Sequence, residues 1–271
     1  MACTEQIPAW KPPIEGGQLS FSPQPSPWEH LFIPCGKCEG CRADQSLMWA
    51  IRCYHESTLW LKNSFVTLTY DDEHLPPDGK IDKTHLQKYF RALRDSGIKL
   101  RYFACGEYGE QTRRPHYHAL IFGQDFRYDA QFINDECYTS PTLLKYWRKG
   151  NILIAPVTVA SIMYTCGYVQ KKVGDPDTFN LMSRRPGIGA DWLKQYSDDI
   201  RRTGKVSIEG QTFPVPPRYL DWRPEEFEKV IEQRREHAKK SAAKQNSAAV
   251  NRSKRANYRA KFSGKKGNEK I

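Results

Sequence analysis

His116 and His118 stand one residue apart in Arg114-Pro115-His116-Tyr117-His118-Ala-Leu-Ile-Phe122. The apolar run behind them reads as a strand, and a strand turns alternate side chains to one face. Both imidazoles then project on one side, about 7 Å apart along the chain, with Tyr117 on the other. Two such imidazoles can converge on a divalent ion. One carboxylate completes the set and leaves coordination positions open, as a Lewis acid requires. Two carboxylates are within reach: Glu107 ends the preceding strand and Glu110 lies in the turn, with Glu107 the better placed.

The second component is a helix over residues 157–172. At about 100° per residue, Val159, Ile162, Cys166, Val169 and Val173 form one apolar stripe. Tyr164, Tyr168, Lys171 and Lys172 fall on the opposite face, where water-facing Glu, Lys or Gln would be ordinary. A phenol, with a pKa of about 10, attacks poorly unless its electrophile is activated. A metal polarising a phosphate oxygen supplies that activation, and lysines offset the charge that develops. The chemistry needing this set is exchange of a DNA phosphodiester for a phosphotyrosine. No Gly-rich dinucleotide fingerprint, phosphate loop or Ser-His-Asp order competes with it.

A third group is Cys35-x2-Cys38-x2-Cys41. Its spacing matches three positions of a bacterial ferredoxin run, but Gln45 occupies the fourth, which argues against an iron–sulfur cluster. A structural zinc could use these three with Cys3, Cys53 or His55. Arg184 and Arg185, beside Gly187 and Gly189, form a basic segment able to grip DNA phosphates.

These residues need a scaffold, and the pattern supplies one. Leu47, Ile51, Tyr54, Thr58 and Leu61 recur at helical spacing. Residues 65–70 are strand material, and Asp82 can cap a helix with Leu86, Phe90 and Leu93 on its buried stripe. Residues 101–105 and 116–122 form a hairpin, Ser140-Pro141 opens a helix ending at Gly150, and residues 152–155 make a further strand. The order β-α-β-β-α-β, then a helix, is the ferredoxin-like split βαβ pattern, an α+β fold with helices flanking an antiparallel sheet. Residues 1–34, rich in Pro, Ser and Gly, read as an extended arm. Residues 213–217 are broken by proline, and residues 224–240 form a charged helix.

Charge follows the same division. The 271 residues carry a net +11, and residues 229–271 hold 14 Lys and Arg against 3 Asp and Glu. That leaves 28 against 28 for the rest, so a basic tail, expected to be disordered alone, supplies the whole surplus. Such a tail suits sequence-independent nucleic-acid binding. No export signal is expected at the N-terminus, and the charge-free residues 152–170 are too polar for a membrane span, so no membrane partner is expected.

His116-Tyr-His118, followed by Tyr164-x3-Tyr168-x2-Lys171, resembles the HUH endonucleases that initiate rolling-circle replication. Phe65-Val-Thr-Leu-Thr-Tyr70 resembles their first motif. The paired tyrosines resemble the initiators of microviruses. Residues 34–42, 106–109, 168–172 and 183–189 (Ser-Arg-Arg-Pro-Gly-Ile-Gly) resemble the gokushovirus branch. The likeness runs from about residue 34 to 190. It implies a nick in single-stranded origin DNA through a 5′-phosphotyrosine, a later religation, and Mg²⁺ or Mn²⁺ at the histidines. Ligand chemistry alone also admits Zn²⁺ or Fe²⁺. It further implies a host helicase and DNA polymerase as partners and the bacterial host cytoplasm as the setting. Tyr168 has Lys171 three residues on, whereas Tyr164 has Gly167, so Tyr168 is expected to be the better activated.

The expected layout is an arm with the cysteine cluster and a helix (1–62), an HUH endonuclease domain (63–175), a loop-rich extension (176–224), and a basic helix with tail (225–271). Competing readings are a transposase or relaxase of the same chemistry, and a non-catalytic zinc-dependent nucleic-acid-binding protein. Relaxases commonly use a third histidine, where this chain offers Glu107.

Overall fold

A computed structural model describes residues 3–14, 16–109, 111–171, 177–245, 250, 252–254, 256 and 257, with 168–171 and 239–245 described as helix only. In chain order the elements are β1 (Ile7–Lys11), β2 (Glu29–Ile33), α1 (Glu39–Ser57), β3 (Asn63–Thr69), α2 (Lys83–Asp95) and β4 (Arg101–Tyr108). Then come β5 (Pro115–Phe122), β6 (Gln131–Phe132), β7 (Tyr138–Thr139), α3 (Pro141–Trp147), β8 (Ile152–Ala155) and α4 (Val159–Lys171). Last are β9 (Phe179–Met182), α5 (Ala190–Thr203), β10 (Lys205–Ile208), β11 (Gln211–Pro214), α6 (Pro217–Trp222) and α7 (Glu228–Gln245). The chain packs as two units, residues 46–221 and residues 1–45 with 222–271. The first takes in most of α1 and residues 176–221, which the sequence pattern sets apart from the sheet.

Seven strands of the larger unit form one antiparallel sheet in the order β6-β7-β8-β3-β5-β4-β9. β3 shows why it forms: its residues alternate between buried and half-buried, the period of a strand with two unlike faces. Val66 and Leu68 join Tyr117, Ala119 and Ile121 of β5 under Leu86, Phe90 and Leu93 of α2 and Leu143 and Trp147 of α3. Phe65, Phe103, Leu120 and Phe122 join Ala50 and Cys53 of α1 and Ile162 and Cys166 of α4. Each fully buried Leu or Phe contributes roughly 1.5–3 kcal/mol. The sheet is therefore covered on both sides, and the faces of β5 are chemically different.

The helix starts follow from local sequence. Asp82 caps α2, its carboxylate accepting from the Thr84 N–H at 2.7 Å. Ser140 caps α3, with Pro141 in the first turn. Pro156 separates β8 from α4. Thr158 and Ser161 then cap α4 reciprocally, each hydroxyl accepting from the other's N–H at 3.1 and 2.8 Å.

Several expectations are corrected. Residues 1–34 are more than an arm, because β1 and β2 pair antiparallel from Ile7↔Ile33 to Lys11↔Glu29. Pro8 sits in an edge strand, where a missing N–H is tolerated. The helix expected to reach Leu61 stops at Ser57, and Leu61 is fully exposed. The helix expected to run to Gly150 stops at Trp147, with Arg148 left-handed (φ 49°) at its C-cap. The proline-broken segment forms hairpin β10–β11, turned at Glu209 and Gly210, both with positive φ. The expected charged helix is α7. Most of the tail lies outside the described residues, among which no helix is long and apolar enough to cross a membrane.

Candidate metal centre and nucleophile helix

The central ladder brings the first constellation together. β4 pairs with β5 so that Glu107 faces His116 and Cys105 faces His118, while β3 sets Thr67 opposite His118. β4 runs past Cys105 to Tyr108, which puts Glu107 inside the strand rather than at its end. Gly106 permits this: a Cβ there would stand 2.6 Å from Ile81 and 2.9 Å from Phe179 on the opposite face. The ligand atoms of Glu107, His116 and His118 lie within 4.8 Å of one another and could hold a metal ion. Glu110 lies outside the described residues.

Glu107 Oε1 is 2.9 Å from His116 Nε2 and 3.0 Å from His118 Nε2. Burial opposes its charge, but hydrogen bonds from the two histidines outweigh this and hold the carboxyl below the usual carboxylate range. His118 Nδ1 meets Thr67 Oγ1 at 3.0 Å. His116 Nδ1 donates to the Arg114 carbonyl at 3.2 Å, and Arg114 is itself held by Asp72 and the Tyr70 carbonyl. His116 thus has an acceptor on each ring nitrogen, a carbonyl and a carboxylate, which a neutral imidazole with one N–H cannot satisfy. A cation at the Nε2–carboxylate position satisfies both, so the donor set fits a divalent ion with open coordination positions.

The nucleophile helix lies against this face. The Tyr164 ring stands edge-on to His118 at 5.1 Å and to Phe65 at 6.2 Å, and Phe65 stacks on His118 at 5.5 Å. On the same helix Ile162 and Cys166 are buried, as the stripe predicts. Tyr168 and Lys171 belong to α4, but their side chains, like Lys172 and Val173, lie outside the described residues.

The segment 183–189 divides in two. Arg184 and Arg185 are exposed, whereas Ile188 and Gly189 are buried. The Gly189 N–H donates to Glu56 Oε2 at 2.8 Å, Arg52 Nε to the Ile188 carbonyl at 3.0 Å, and Arg101 to the Pro186 carbonyl at 2.9 Å. Glu56 Oε1 also accepts from Arg101 Nε at 2.6 Å. Much of this motif is a clasp onto α1 and β4. Sequence reading missed Thr67, Phe65 and Glu56, because each acts through partners distant in the chain. The hydroxyl of Thr67 on an otherwise apolar strand was the one available signal.

The cysteines resolve the open choice of a fourth partner. Cys3, Cys35, Cys38 and Cys41 place their sulphurs within 4.8 Å of one another and could hold a metal ion. Cys53 instead lies 3.8 Å from Cys166 in the larger unit. His55 stacks on Trp192 and bonds Tyr219 through Nδ1.

Known proteins resemble this chain over the same region. The family model for the replication-associated protein ORF2 matches residues 63–173, from β3 through α4. The replication-associated protein VP4 of Bdellovibrio phage phiMH2K is 36% identical over 212 residues, covering 70% of this chain and 67% of that protein. The replication-associated protein ORF2 of Spiroplasma virus 4 is 31% identical over 251 residues, covering 82% and 78%. The replication-associated protein ORF4 of Chlamydia phage 1 is 29% identical over 211 residues, covering 70% and 53%. No solved structure matches. A two-histidine, one-carboxylate centre beside a tyrosine helix thus sits in a chain that belongs to the phage replication-associated protein family.

Proposed function

We propose that this protein is a metal-dependent, site-specific nickase and strand transferase that initiates rolling-circle replication of a small single-stranded DNA phage genome. The observation that carries the proposal is Glu107, His116 and His118 converging on the sheet face against which Tyr164 packs. The strand order β8-β3-β5-β4 supports a ferredoxin-like HUH domain, since it ranks the four core strands fourth, first, third and second in the chain. The phage relatives support a replication role.

Glu107, His116 and His118 would hold Mg²⁺ or Mn²⁺, which supplies Lewis acidity at a non-bridging phosphate oxygen. The remaining work belongs to the chain. A tyrosine hydroxyl attacks phosphorus, the bond from phosphorus to the 3′ oxygen breaks, and a 5′-phosphotyrosine forms. The leaving 3′ oxygen gains the proton equivalent that the phenol gives up. Lys171 and Lys172 offset developing negative charge, and Arg184 and Arg185 hold the strand by its phosphates. The free 3′ hydroxyl primes copying by a host polymerase behind a host helicase in the bacterial cytoplasm. A 3′ hydroxyl later reverses the linkage and closes the circle.

The test is incubation of the full chain with single-stranded genome fragments and Mn²⁺, followed by mass spectrometry of tyrosine peptides. A nick with a DNA adduct on Tyr168 or Tyr164 is expected, absent in His116→Ala. Tight DNA binding without nick or adduct would favour the non-catalytic reading instead.

A further inference from the structure

We infer that Cys3, Cys35, Cys38 and Cys41 form a closed four-thiolate site for one structural Zn²⁺, separate from the histidine centre. Three elements deliver the ligands. The β1–β2 ladder, closing at Ile7↔Ile33, runs Cys3 alongside Cys35. Cys38 accepts the first turn of α1 through its carbonyl, bonded by the Arg42 N–H at 3.1 Å. Cys41 lies within that turn. Gly36, with φ +73°, makes the tight bend between Cys35 and Cys38.

The distances fit one ion rather than a cluster or a disulfide. Four sulphurs each about 2.3 Å from one zinc stand roughly 3.8 Å apart in a tetrahedron. The Cys3 and Cys38 sulphurs are 3.8 Å apart. A disulfide would bring them to about 2.05 Å. A four-iron cluster spaces its thiolates more widely, with iron and sulfide between them.

The surrounding donors point to thiolates. Backbone N–H groups of Lys37 and Cys38 both aim at Cys35 Sγ, at 3.4 and 3.3 Å. The Cys35 N–H aims at Cys3 Sγ at 3.3 Å, and the Thr4 N–H at Cys38 Sγ at 3.5 Å. Such donors favour the charged form of sulphur. The start of α1 adds the positive end of its dipole beside Cys38 and Cys41, which suits a centre of formal charge −2. Four protein ligands leave no open position, so this ion has no role as a Lewis acid.

The experiment is metal analysis of the full chain purified under reducing conditions. One zinc per chain is expected, retained in His116→Ala and Cys137→Ser and lost in Cys3→Ser and Cys38→Ser. Should the cysteine variants not fold, wild-type protein titrated with an organomercurial should release one zinc, read with a chromogenic chelator, over four thiol equivalents. Replacement by Co²⁺ should give the intense visible bands and thiolate charge transfer of a tetrahedral sulphur site. Zinc lost with His116 but kept without Cys3 would overturn the assignment. So would protein that binds neither zinc nor cobalt, or peptide maps showing these cysteines joined as disulfides.

Discussion

At the scale of single residues, the metal centre depends on groups that never touch the substrate. Thr67 fixes the His118 ring through Nδ1, and loss of such an outer partner typically costs 10–100-fold in affinity or activity. Thr67→Val should therefore weaken Mn²⁺ binding by about that factor, measured by calorimetry, while leaving the fold intact. Glu107→Gln should weaken it more, because a ligand and its charge are both removed. For the tyrosines, Tyr168→Phe should remove most initial cleavage of an origin oligonucleotide, and Tyr164→Phe should spare nicking but impair circle closure. The reverse result would make the ring packed on His118 the first nucleophile. His55 offers a pH test. Burial pushes its pKa down to about 3, so the unfolded chain takes up the proton first as pH falls. His55 therefore contributes stability above its ordinary pKa of about 6.5, lost as pH drops from there towards 3. His55→Phe should flatten the pH dependence of the urea midpoint over that window; an unchanged slope would show that other groups dominate it.

At the scale of elements, the sheet was legible because its core strands follow period two and its helices carry capping residues. The His-x-His spacing announced the metal face, and Glu107 followed from the hairpin. Other parts were hidden for physical reasons. β9 and β10–β11 are four-residue strands whose pairing depends on neighbours the local pattern does not name. β1 carries a proline, which ordinarily argues against a strand. The clasp of residues 183–189 looked like a DNA grip because its charge was visible and its burial was not. Glu56 there is buried, paired with Arg101 and bonded to the Gly189 N–H. Removing one partner of a buried pair typically costs about 3–5 kcal/mol. Glu56→Ala should thus lower unfolding free energy by roughly 3–5 kcal/mol, whereas Arg184→Ala should leave stability unchanged and weaken DNA binding. Chemical denaturation and filter binding separate the two.

At the scale of the whole molecule, net charge is segregated along the chain from the sheet and its metal centre. Residues 246–271 hold 8 Lys and Arg against one Glu. Their deletion should weaken binding to all single-stranded sequences alike and flatten the dependence of affinity on salt, by about 0.7 in slope for each phosphate the tail neutralises. Cleavage of an already bound oligonucleotide should persist. An unchanged salt slope would assign the tail to something other than DNA.

The two faces of β5 carry one more consequence. His116 and His118 alternate with Tyr117, whose hydroxyl is buried among Tyr70 and the Asp82 carbonyl on the far side of the sheet. A slip of one residue would drive both imidazoles into an apolar layer and turn Tyr117 towards the ion. The centre therefore has no half-built form that still binds metal. A chain zipped in the wrong phase is inert rather than promiscuous, which is a useful property in a protein proposed to cut the genome it serves.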